Sequence, residues 1–106
     1  MPDFTFLADM AQEVPEVPEK SILSRTLFED AKLKVVLFSF APGAELSEHT
    51  ASVPAILHLL RGEAELSFGG EVRQAGPGAW AHMAAQLPHS VRAKTPVTLL
   101  LLMLRG

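Results

Sequence analysis

The segment GAELSEHTASVPAILHLLRG, residues 43–62, and the segment GAWAHMAAQLPH, residues 78–89, together decide how this chain folds. Each opens on a turn glycine, Gly43 or Gly78, and each carries a histidine beside a strand-like run, His49 or His89. Between them Ala64, Leu66 and Phe68 alternate with Glu63, Glu65 and Ser67, the pattern of a half-buried strand. Gly69-Gly70 then supplies the positive φ of a two-residue hairpin leading to Glu71. The middle of the chain therefore reads as antiparallel β.

Working outward, strand-like composition recurs over 21–28, 33–40, 55–61, 64–68, 71–74, 80–83, 89–93 and 97–104. Pro42, Pro54, Gly62, Gly76, Pro77, Pro88 and Pro96 punctuate the chain too often for long helices. Val35 to Phe40 and Leu99 to Leu104 are apolar on both faces, so each should be covered twice, once by the core and once by another sheet or subunit. Before Ser21 the sequence offers a short helical turn over Phe6 to Gln12. The extended stretch Glu13-Val14-Pro15-Glu16-Val17-Pro18-Glu19 follows, where two prolines fix φ and withhold amide donors. The expectation is all-β: residues 1–20 as an arm and 21–106 as one jelly-roll barrel of about eight to ten short strands, closed to avoid exposed edges.

Composition bounds the function. The 106 residues leave room for one domain, and 48% apolar content against 20% charged suggests that some apolar surface meets a second subunit. A net charge of −3 with scattered Lys and Arg gives no footprint for nucleic acid. The longest apolar run, Val97 to Leu104, is far short of the ~20 residues of a membrane helix, and Met1-Pro2-Asp3 lacks a basic leader. A cytoplasmic homodimer is the expectation. With no cysteine, any metal would need histidine, carboxylate or water.

The two segments, taken in order, resemble the motifs of the cupin superfamily. Its first motif runs Gly, five residues, His-x-His, three or four residues, Glu, six residues, Gly; here Gly43, His49-Thr50-Ala51, Ala55 and Gly62 keep the spacing. Its second runs Gly, five residues, Pro-x-Gly, two residues, His, and Gly78, Ala84-Ala85-Gln86 and His89 match it in length. The resemblance covers about residues 21–104 and implies a small double-stranded β-helix of the RmlC-like kind, a homodimer with a pocket inside the barrel. It also implies a divalent ion, Fe, Mn, Ni or Zn, held by two histidines and a glutamate of the first motif and a histidine of the second. His49 and His89 occupy two of those positions, but Ala51 and Ala55 replace the other ligands.

Strand parity sorts the histidines. His89 shares its face with Val91 and Ala93, opposite Ser90, Arg92 and Lys94, and should point inward. His58 stands three residues past Ala55, with Ile56 and Leu60, on the outer face of a regular strand; His82 shares a face with Trp80, and turning it inward needs an irregularity. The candidate metal set is His49, His89, His82 and His58, with His58 the least favoured. The candidate ligand pocket is His49, Ala51, Ala55, Trp80, His82, Met83 and His89, with Phe38, Phe40 and Phe68 as further apolar lining. Glu45 and Glu48 flank the first motif as a base or spare oxygen ligand, against a plainer role as solvated loop carboxylates.

The leading reading is a module that binds a small molecule in an apolar barrel, with a histidine pair to orient it and a degraded metal site. The alternative is a metal-dependent enzyme of oxygenase or isomerase type using His49, His89 and a non-standard third ligand. Metal-free acid and base catalysis is weaker, because the chain has no tyrosine to act as partner acid.

Overall fold

The computed structural model describes residues 3–13 and 16–106. Val14 and Pro15 of the proline-paired stretch, and Met1 and Pro2, lie outside the described residues. Among the described residues a 3-10 turn at Met10–Glu13 precedes nine strands: β1 (Ile22–Glu29), β2 (Leu33–Phe40), β3 (Glu45–His49), β4 (Ala55–Arg61), β5 (Ala64–Phe68), β6 (Glu71–Ala75), β7 (Trp80–Met83), β8 (His89–Ala93) and β9 (Val97–Leu104). They form two antiparallel sheets, ordered β1-β2-β9-β4-β7 and β3-β8-β5-β6, that face each other as a jelly-roll barrel. The all-β expectation holds, with one strand more than the composition marked.

That extra strand, β3, is polar and exposed except at Leu46. It forms one edge of its sheet and, among the described residues, pairs only with β8, so it needs no second apolar face and leaves little trace in the sequence. The helical turn expected over Phe6 to Gln12 is instead the shorter 3-10 turn, capped where the Asp9 carboxylate accepts from the Ala11 amide at 3.0 Å.

Period-two alternation fills the barrel. Ala55, Leu57 and Leu59 of β4, Leu66 of β5, Val91 of β8, and Val97 and Leu99 of β9 are almost wholly buried in one cluster with Phe40 and Met83. Outside the five-stranded sheet a second cluster forms around Val35, Leu37 and Leu100, packed by Met10, Leu27, Phe28 and Leu33. Part of the outer cover over the two-sided strands thus comes from the chain's own arm, as well as from neighbouring strands. Arg25 and Glu13 stand 3.7 Å apart beside this contact, but an ion pair this open to solvent adds little to its stability.

Two left-handed positions, Gln86 at the functional end and Gly62 at the opposite end of β4, respond oppositely to substitution. Gly62 (φ +87°) follows β4, and a Cβ there would overlap the Pro96 carbonyl oxygen. The same tight approach lets the Glu63 amide donate to Thr95 Oγ1 at 2.9 Å. Gln86 (φ +68°) occupies the glycine position of the second motif, and a side chain in that region costs roughly 1 kcal/mol. In urea unfolding, Gly62→Ala is predicted to lose about 3 kcal/mol, by strain plus overlap. Gln86→Gly is predicted to be neutral or to gain up to about 1 kcal/mol, because relief of strain outweighs the added chain entropy. A tolerated Gly62→Ala, or a Gln86→Gly that unfolds easily, would contradict this geometry.

Candidate functional site

Strand ends gather at one end of the barrel. β3 ends at His49, β4 begins at Ala55, β7 ends at Met83 and β8 begins at His89. The connecting loops are tied together where the Gln86 amide donates to the Ala51 carbonyl at 2.8 Å, and to β9 where the Leu104 amide donates to Pro54 at 2.9 Å. His89 pairs across to Phe68 and is only 5% exposed.

His49 reaches the same place by an irregularity. Leu46 pairs with Val91 and His49 with His89, so β3 takes three steps where β8 takes two. Without the extra residue His49 would face away from Leu46 and from His89; the bulge at Ser47-Glu48 turns it toward His89 at the rim, where His49 stays exposed while His89 is buried. The two imidazoles then lie with ring centroids 4.2 Å apart and planes at 58°. His49 Nδ1 is 2.9 Å from the Ser47 carbonyl and His89 Nδ1 is 2.9 Å from the Leu87 carbonyl. A carbonyl oxygen only accepts, so each Nδ1 donates, and in the neutral form of each ring Nε2 is the acceptor. Two anchored rings of matching tautomer form a pair of acceptors at the barrel mouth.

The other candidates do not converge on this pair. In the regular register of β4 with β7 and β9, His58 lies opposite Trp80 and Leu100, and Ile56 lies opposite His82. His58, Trp80 and His82 therefore share the outer face of the five-stranded sheet, with Trp80 61% exposed and His82 also open to solvent. The register thus sets His58 and His82 apart from His49 and His89, since β7 pairs with β4 without a bulge that would turn His82 inward. Ala55 and Met83 pair with each other on the inner face, nearly fully buried; Met103 is the second partner of Ala55. Ala51 is half-buried in the loop, while Glu45, opposite Arg92, and Glu48, in the bulge, are exposed.

The donor set does not suit a divalent ion of the kind the motifs imply. Among the described residues no group of three or more His, Cys, Asp or Glu side chains is placed to hold a metal. Protein metal sites rest on at least three protein ligands, and here methyl groups stand at two of the motif positions.

Deeper in the barrel lies an apolar cavity of about 140 Å³. Leu57, Leu59 and Leu99 line it from one sheet, Leu66 and Phe68 from the other, and Arg73, Ala75 and Ala81 from the edge strands β6 and β7, with Ala79 just before β7. Of the apolar residues proposed from sequence, Phe68 lines it from inside and Trp80 only borders it at the open β7 edge; Phe40 and Met83 are packed into the core. Arg73 was missed, although the Gly69-Gly70 hairpin fixes its place opposite Leu66. A larger groove of about 470 Å³ lies on the outside, between Thr5, Phe6, Leu7 and Met10 of the arm and Phe28, Leu33 and Val35 of the sheet.

Comparison with known proteins agrees with this architecture. The sequence matches the cupin domain over residues 36–104, and the chain belongs to the cupin family. No curated protein matches it. A conserved protein of unknown function from Streptococcus pyogenes is 28% identical, with 99% of this chain aligned to 91% of that one at a TM-score of 0.83. A cupin superfamily protein from Desulfitobacterium hafniense is 25% identical, with 100% aligned to 95% at a TM-score of 0.85. A salicylate 1,2-dioxygenase from Pseudaminobacter salicylatoxidans shares the fold alone, at 13% identity, with 88% of this chain aligned to 29% of that one at a TM-score of 0.75. Among the described residues no helix is long and apolar enough to cross a membrane.

Proposed function

We propose that this cupin binds a small organic molecule inside its barrel and that His49 and His89 orient the ligand in place of a metal. The observation that carries the reading is the pairing of two anchored imidazoles, 4.2 Å apart, above a barrel interior that is otherwise apolar. Two free Nε2 acceptors suit a ligand that presents hydroxyl or amide hydrogens, and the leucines around them exclude water from the remainder. Ala51 and Ala55 serve this function by removing bulk and charge from the mouth. The protein as isolated without chelator is expected to carry well under one equivalent of Fe, Mn, Ni or Zn per chain by elemental analysis. One full equivalent, lost in both His49→Ala and His89→Ala, would overturn the reading in favour of a metal-dependent enzyme.

The working unit in this proposal is a homodimer built on the outer face of the five-stranded sheet. Ile56, Leu60 and Leu102, half-buried around His58 and the buried Leu100, give that face a centre without Asp, Glu, Lys or Arg, and Trp80 stands exposed at its edge. A second copy can meet such a face across a two-fold axis with no like charges opposed. Sedimentation at micromolar concentration is expected to give a dimer, and Trp80→Asp to shift it toward monomer. A wild-type chain that sediments as a monomer would contradict this assembly.

A further inference from the structure

The cavity below the histidines is set apart from them by strand register. Ala55, Met83, Phe68 and His89 form the row of inner-facing residues nearest the mouth. The next rows, Leu57 with Ala81, Leu59 with Leu99 and Leu66 with Arg73, line the cavity together with Phe68. Neither histidine lines it. The sheet order leaves β6 and β7 as neighbouring unpaired edges, and the cavity lies against both, at Arg73, Gln74 and Ala75 on one and Ala79, Trp80 and Ala81 on the other. Ala75, Ala81 and Ala79 just before β7 present only methyl groups along this seam.

Arg73 is unusual for its position. The hairpin register puts it on the inner face of β6, in a wall otherwise made of leucine, phenylalanine and alanine, yet its side chain is 62% exposed because the edge is open. Its guanidinium donates to the Val72 carbonyl at 3.0 Å and stands 3.8 Å from the Glu71 carboxylate, itself 74% exposed. At that distance and exposure the pair is weak, and an incoming anion can replace Glu71 as partner. The nearby Glu65 is engaged elsewhere, accepting from Gln74 at 3.2 Å and from Arg92 at 3.5 Å.

An apolar cavity of about 150 Å³ accommodates one benzene ring, so the size here admits a single ring or a branched chain of similar bulk. Adding one guanidinium at the rim, we propose that the β6–β7 seam admits a small monocyclic or branched-chain carboxylate, its hydrocarbon among Leu57, Leu66 and Leu99 and its carboxylate on Arg73. The inference rests on the reading of the barrel as a binding site and adds to it a second compartment, apart from the histidine pair, with its own entrance and ligand charge.

Benzoate is the test probe and benzyl alcohol its uncharged counterpart, each titrated into methyl-labelled protein and followed by NMR at the Leu57, Leu66 and Leu99 methyls and at the His49 and His89 rings. Benzoate is expected to shift the leucine methyls saturably and to bind at least fivefold more tightly than benzyl alcohol. In Arg73→Gln its affinity should fall about tenfold while that of benzyl alcohol stays unchanged. Equal affinity for the two probes, or a benzoate affinity indifferent to Arg73→Gln, overturns the carboxylate assignment and leaves the barrel pocket standing. Shifts confined to the histidine rings also overturn the seam as an entrance, while supporting the histidine pair as the binding site. Absence of any shift with either probe overturns the inference outright.

Discussion

The antiparallel pairing of β4 with β9 on one side and β7 on the other is the constraint from which the rest follows. Because alternate residues face opposite ways, that pairing sends Ala55, Leu57 and Leu59 into the barrel and Ile56, His58 and Leu60 out of it. A slip of one residue would exchange the two sets and bury His58 in the core. The regular register across β7 also fixes Met83 and Ala81 inside and leaves Trp80 and His82 outside. Core, outer face and seam are three consequences of one alignment.

The functional end depends on breaking the same rule once. β3 carries one residue more than β8 between its paired positions, and this turns His49 toward His89. The edge position of β3 permits the break, since only β8 must accommodate it. Each ring is then held by a carbonyl two residues earlier in its own chain, so the orientation of the pair is local and does not rely on a bound ion. Metal-binding imidazoles are oriented by outer partners in much the same way, and here that support remains beside a donor set of two.

Much of this was legible in the sequence. The Gly69-Gly70 hairpin, the alternation over residues 63–68 and the two motif spacings give the all-β barrel, and His89 declares its inward face through Val91 and Ala93. The regular parity of β4 and β7 likewise gives the placement of His58 and His82 without a structure. β3 was not legible, because a polar, bulged edge strand has no alternation to read. The cavity escaped for another reason: its walls come from strands far apart in the chain, and its opening depends on which edges are left unpaired. Arg73 could have been found by counting from the hairpin, yet a lone charge on an edge strand reads first as protection against aggregation.

The central claim is that an organic ligand, oriented by His49 and His89, occupies the barrel in place of a metal. Native mass spectrometry of the freshly purified protein tests it most directly, by comparing the intact mass with that after denaturation. The account predicts an organic adduct that is released on denaturation and reduced in both His49→Ala and His89→Ala. A stoichiometric adduct of a metal's mass, or an organic adduct indifferent to both substitutions, would contradict it.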